Sequence, residues 1–271
     1  MNSSSQKLSA VMQNYGDPKL EFVAGKGSYL TSTSGEKYLD FTTGIAVNSL
    51  GHCHPKLIAA LQEQSERLWH SSNLYRISQA ETLAEKLIAN TFADRVFFCN
   101  SGTEAIEAGI KIIRRYFYHL GHQQKNRIIS LTSSFHGRTL GALALANNPT
   151  QTEGFLHGDG GFDQVEYGNV DELKRTITDT TAGIVIEPIQ GEGGIRVAMK
   201  DYLAEIKNLC EINNLLLFFD EVQSGVGRSG SLYAYQELGI QPDLLATAKG
   251  LGGGIPIGAC ITTERIAEAM T

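Results

Sequence analysis

From about residue 94 onward, short apolar runs alternate with longer amphipathic stretches, and this alternation constrains the fold more than any other feature of the chain. The expected strands are 95–100, 128–131, 183–188, 215–222, 244–248 and 257–262. Between them lie the expected helices 103–120, 170–176, 200–213, 232–238 and 264–270. Continuously apolar strands separated by helices are buried on both faces. They imply an α/β layered fold, a mostly parallel sheet with helices on both sides. In such sheets ligands gather beyond the carboxyl ends of the strands.

The opening of the chain follows another rule. Residues 25–31 and 37–41 read as short antiparallel strands around the turn Ser34-Gly35-Glu36, followed by a helix over 55–69. Residues 1–50 are therefore expected to form an N-terminal arm with a small sheet, and 51–271 a large α/β domain.

Composition excludes several classes. With 42% apolar and 19% charged residues the chain has the make-up of a soluble globular protein. A net charge of -6 argues against general nucleic-acid binding. The start Met1-Asn2-Ser3-Ser4-Ser5-Gln6-Lys7 has no apolar core of a secretory signal, and no apolar run reaches membrane-spanning length. The cysteines, Cys53, Cys99, Cys210 and Cys260, are scattered among apolar segments, which suits reduced thiols and a cytoplasmic location.

Residues with chemical potential cluster at strand ends. Lys249 follows the apolar run Leu244-Leu245-Ala246 and precedes Gly250-Leu251-Gly252-Gly253-Gly254. A lysine in an apolar pocket has a lowered pKa and becomes a nucleophile, while glycines let backbone approach a ligand. Phe218-Phe219-Asp220-Glu221-Val222-Gln223 is an apolar strand ending in carboxylates, and Glu187-Pro188-Ile189-Gln190-Gly191-Glu192-Gly193-Gly194 is a second strand-end loop. Asn100-Ser101-Gly102-Thr103-Glu104 joins a strand to a long helix. It reads as a phosphate site of free N–H groups and hydroxyls, or as an ordinary helix cap. Phe135-His136-Gly137-Arg138 offers an aromatic face and a guanidinium.

Other chemistries lack support. His52-Cys53-His54 reads as a turn before Pro55 rather than a metal site, because adjacent ligands rarely close one tetrahedron. Neither a Gly-x-Gly-x-x-Gly strand-to-helix turn nor a Gly-x-Ser-x-Gly elbow occurs.

Taken together, Gly51-His52-Cys53-His54-Pro55, residues 100–105, residues 135–139, residues 187–194, residues 220–223 and Lys249 resemble the class III (subgroup II) pyridoxal-phosphate-dependent aminotransferases of fold type I. The likeness is nearest to the members that act on N-acetylornithine, and the 29-residue separation of Asp220 and Lys249 also matches. The resemblance implies pyridoxal 5'-phosphate as cofactor, bonded by Lys249, which then moves protons at the substrate carbon. It implies that Asp220 holds the ring nitrogen, Gln223 lies near the phenolic oxygen and Phe135 stacks on the ring. Ser101, Gly102 and Thr103 would cradle the phosphate, with Glu221 and Val222 also at the cofactor. Arg138 would bind the substrate carboxylate, Glu192 would act as a gate, and Tyr75 would line the substrate pocket.

The implied reaction moves an amino group from N-acetylornithine to 2-oxoglutarate in arginine biosynthesis, by a homodimer. The resemblance leaves open ornithine, 4-aminobutyrate, succinylornithine or succinyldiaminopimelate as donor, and also a cofactor-binding chain without catalysis. Family members continue past this point into a further part of the large domain and a C-terminal domain. Residues 1–271 alone are therefore expected to be poorly active.

Overall fold

The structure, a computed structural model, describes residues 10–155, 158 and 160–270. The start used above against a secretory signal, and Thr271, lie outside the described residues. The N-terminal segment forms an antiparallel sheet of β1 (Phe22–Lys26), β2 (Tyr29–Ser32) and β3 (Lys37–Leu39). The expected strand 25–31 is thus two strands. Lys26 pairs with Tyr29, and the chain reverses through Gly27-Ser28, where Gly27 takes the left-handed φ of 57° that a tight hairpin requires. Gly27 also exchanges backbone hydrogen bonds with His52, at 3.0 and 2.7 Å, which ties this sheet to the next segment.

The central sheet begins with β4 (Arg95–Cys99), β5 (Arg127–Leu131), β6 (Phe162–Val165) and β7 (Thr181–Ile186). A two-stranded ribbon, β8 (Ile189–Gln190) and β9 (Arg196–Val197), follows β7. The sheet then continues with β10 (Leu216–Asp220), β11 (Leu244–Thr247) and β12 (Gly258–Thr262). Its order is β4-β12-β11-β10-β7-β5-β6, and β12 alone runs against the others. All six expected strands are present. β6 was not legible because Asp163 and Gln164 break its apolar run, which an edge strand tolerates.

Period-two alternation sends side chains to both faces. In β10, Leu217 and Phe219 pack with the helices Ser78–Ala89, Val170–Thr176, Lys200–Ile212 and Ala234–Leu238. Leu216 and Phe218 pack with the helices Gly102–His119, Leu140–Ala146 and Glu264–Ala267. The long helix Gly102–His119 buries Ala105, Ile106, Gly109, Ile110, Ile113 and Phe117, the spacing of one helical face. Each large apolar side chain so buried contributes about 1.5–3 kcal/mol. Besides the one-turn helices Thr43–Ala46 and Pro149–Thr152, two longer helices, Ser78–Ala89 and Leu140–Ala146, were not expected. The second is nearly all apolar and so shows no amphipathic period. The helix expected over 55–69 stops at Ser65. The one expected over 264–270 is a short helix, Glu264–Ala267, and then a 3-10 turn.

Among the described residues no helix is long and apolar enough to cross a membrane. His52 Nε2 lies 2.8 Å from Asp40 Oδ2, and His54 caps the helix Pro55–Ser65 by accepting from Lys56 N–H. Among the described residues no cluster of His, Cys, Asp and Glu is placed to hold a metal.

Candidate active site

Beyond the carboxyl ends of β5, β7, β10 and β11 lies a cleft of about 420 Å³. Its lining includes Ser101, Gly102, Thr103, Phe135, Arg138, Glu187, Glu192, Asp220, Val222, Gln223 and Lys249. The parallel strands explain why residues so distant in sequence meet. β10 lies between β7 and β11, so Glu187, Asp220 and Lys249 follow neighbouring strand ends, with His136 in the loop after β5. A larger cavity of about 680 Å³ runs along the edge strand β4, but it holds neither Lys249 nor Asp220.

Lys249 is half-buried and adopts a left-handed φ of 43°, a conformation that costs free energy in a non-glycine residue and recurs at functional sites. Burial pushes its pKa below the usual lysine value, while Asp220, Glu192 and Glu187 pull the other way. This is the environment of a lysine that acts as a base or nucleophile.

Asp220 ends β10, buried, and accepts from His136 Nδ1–H at 2.7 Å and from Val222 N–H at 3.0 Å. Burial alone would lower the His136 pKa, but the hydrogen bond to Asp220 and the charges of Asp220 and Glu187 outweigh it, and the pKa is raised. Glu187, also buried, accepts from Phe135 N–H at 2.8 Å and Gly191 N–H at 3.4 Å. Its pKa is pushed up to about 7 by burial and by the Asp220 charge, against the opposing His136 charge and those backbone donors. The sequence marks His136 and Glu187, like Asp220, as chemically suggestive residues at or just beyond strand ends. Both sit inside motifs quoted above, but nothing local says which carboxylate His136 meets.

The helix Gly102–His119 starts at the cleft. Ser101 is its N-cap, with the side chain accepting from Glu104 N–H at 3.3 Å, so the cap reading holds. Capping uses a lone pair of Ser101, and its hydroxyl also hydrogen-bonds the Glu104 carboxylate. The first N–H groups of the helix have no preceding turn to bond, and the positive helix end faces the same cleft. A Cβ at Gly102 would lie 2.6 Å from Val222 Cγ1, so glycine keeps this approach open. The junction therefore fits a phosphate. Asp220 and Phe135 line this same cleft, and the Arg138 guanidinium sits 5.2 Å over the Phe135 ring. Gln223 Nε2–H donates to Glu192 Oε1 at 3.3 Å, bringing these two expected residues together at one wall.

Two expected site residues lie elsewhere. Glu221 follows Asp220, but the alternation of the strand turns it away from the cleft. Its buried carboxylate accepts from Ala234 N–H, Tyr235 N–H and Ser224 Oγ–H, which fastens the helix Ala234–Leu238. Tyr75 is 69% exposed and does not line the cleft of this chain.

The sequence profile of the aminotransferase class-III family matches residues 11–271. The chain is 53% identical over 252 residues to the acetylornithine aminotransferase of Agrobacterium fabrum, an alignment covering 93% of this chain and 63% of that one. Against the acetylornithine aminotransferase of Methanocaldococcus jannaschii it is 47% identical, with 96% and 65% covered. The chain thus spans about two thirds of the length of these relatives. The N-acetylornithine aminotransferase structure from Stenotrophomonas maltophilia superposes with a TM-score of 0.82 at 36% identity, covering 94% and 65%. The ornithine aminotransferase of Toxoplasma gondii superposes with a TM-score of 0.92 at 32% identity, covering 97% and 63%. A cleft that offers a desolvated lysine, a buried carboxylate and a phosphate-ready helix end is what such a likeness would require, and the chain belongs to the class III aminotransferase family.

Proposed function

We propose that the protein transfers the terminal amino group of N-acetylornithine to 2-oxoglutarate with pyridoxal 5'-phosphate. The observation that carries this reading is the placement of Lys249 and Asp220 on adjacent strand ends, facing one cleft with the Gly102 helix end. The donor is supported by relatives named acetylornithine aminotransferase at about half identity.

Pyridoxal phosphate supplies a ring that accepts the electron pair left when an amine-bearing carbon loses its proton. Lys249 holds that proton and moves it, since burial leaves its amine more readily neutral than a surface lysine. Asp220, steadied by His136, presents a fixed anion to the protonated ring nitrogen. Ser101, Gly102 and Thr103 hold the phosphate at the helix end, Phe135 covers the ring and Arg138 forks the substrate carboxylate. Glu192, paired with Gln223, closes that wall between donor and acceptor half-reactions.

Residues 1–50 serve as arm and small sheet and 51–271 as the large domain. The working form is a cytoplasmic homodimer. Exposed Trp69, Leu74, Leu61 and Ile58 support a covered face, and the four cysteines are free.

The test adds pyridoxal phosphate to the purified protein, records its visible spectrum, then titrates N-acetylornithine. A long-wavelength band that is absent in Lys249→Ala and that converts with donor supports the proposal. A band that ignores N-acetylornithine but converts with ornithine or 4-aminobutyrate changes the donor. A band that responds to none identifies a cofactor-binding chain without turnover.

A further inference from the structure

The loop carrying Arg138 is fastened to the helix Gly102–His119 by a chain of side-chain hydrogen bonds. Thr139 Oγ1–H donates to Glu107 Oε1 at 2.5 Å. Thr139 Oγ1 lies 3.1 Å from Thr103 Oγ1, and Thr139 N–H donates to Thr103 Oγ1 at 3.4 Å. A carboxylate only accepts and a hydroxyl carries one proton, so Thr139 gives its proton to Glu107 and Thr103 is the donor between the two hydroxyls. The Thr103 hydroxyl is therefore engaged with Thr139, and Thr103 would meet a phosphate through its backbone N–H.

The two segments press together around this chain. Gly137 has a φ of 128°, and a Cβ there would collide with the Thr103 side chain. A Cβ at Gly141 would lie 2.6 Å from Glu107 Oε1. Arg138, between these contacts, is exposed and rests on the Phe135 ring. An arginine on a free loop would lose much of its binding energy to the entropy of being ordered.

We propose that Thr139 and Glu107 are positioning residues for Arg138: they lock its loop to the phosphate-side helix, so that the substrate carboxylate meets a guanidinium already in place. This rests on the reading of Arg138 given above. Neither residue touches the substrate.

The test uses glutarate, a dicarboxylate with no amino or oxo group to react, titrated by calorimetry into the cofactor-loaded protein. Cofactor affinity is followed separately by the visible band. Thr139→Val and Glu107→Ala are each expected to weaken glutarate about five- to tenfold, with cofactor affinity changed by less than about twofold. Thr139→Ser, which keeps the hydroxyl, should hold glutarate as the parent does. Glu107→Ala decides the matter if Thr139→Val does not fold cooperatively, since alanine suits a helix. Unchanged glutarate binding in Thr139→Val and Glu107→Ala, with binding lost in Arg138→Ala, overturns the latch alone. Unchanged binding in Arg138→Ala overturns the role of Arg138 itself. Parallel loss of glutarate and cofactor in both latch variants would mean a general support of the helix end, and would also refute the proposal.

Discussion

His136 Nδ1 donates to Asp220 Oδ2 over 2.7 Å although the two residues stand 84 positions apart, and both are buried. The contact joins the loop after β5 to the end of β10 across the intervening β7. His136 Nε2 is buried without a partner among the described residues, so Asp220 is the hydrogen-bond partner of the imidazole and shares with the Glu187 charge the stabilising of its charged form.

Asp220→Asn removes that charge while keeping size. Burial then dominates at His136, whose pKa should fall below its ordinary value. Stability at pH 6 should drop by about 1–3 kcal/mol, read as a lower denaturant midpoint at unchanged slope. Titration of the His136 ring proton by NMR separates this from general damage; a His136 pKa that stays raised refutes it.

Glu187 makes stability depend on pH in a definite direction. Its folded pKa of about 7 exceeds the ordinary 4.5, so between these values the folded state binds more protons than the unfolded one. Stability contributed by the protonated carboxyl is complete below about pH 4.5 and lost as pH rises to 7, at most about 3 kcal/mol. His136, also raised, adds a loss in the same sense above its ordinary value of 6.5. Glu187→Gln should flatten the lower window and, by removing one of the charges that raise the His136 pKa, lessen the loss in the upper one. Denaturation midpoints measured from pH 4.5 to 7.5 check this, and an unaltered slope in the variant rules it out.

Glu221 should behave as a structural residue. Glu221→Ala leaves Ala234 N–H and Tyr235 N–H buried without their acceptor and should cost about 2–4 kcal/mol. Cofactor affinity per folded molecule should stay within about twofold, because the side chain is turned from the cleft. A selective loss of cofactor binding without loss of stability would return Glu221 to the site.

Gly109 reverses an ordinary rule. Alanine normally stabilises a helix interior by about 1 kcal/mol over glycine. Here the added Cβ collides with the Phe218 ring, so Gly109→Ala should destabilise by about 1–3 kcal/mol. Thermal melting of the variant gives the sign directly.

The sequence by itself determined the layered α/β plan, because the continuous apolar runs of β7, β10 and β11 and the amphipathic face of Gly102–His119, with its period of 3.6, are local patterns. It also marked Lys249, Asp220, Ser101 and Arg138, since polar residues closing apolar strands or opening a helix stand out within a few positions. Tertiary structure alone decided which of them meet. The strand order places Glu187 between His136 and Asp220, and strand alternation sends Asp220 into the cleft while Glu221 goes to the cap of Ala234–Leu238. Likewise, only the packing of the 137–141 loop on the long helix joins Thr139 to Glu107, 32 residues away. Local propensity acts over a few residues, whereas these pairings depend on sheet order and register, which are set by burying both faces of the sheet at once.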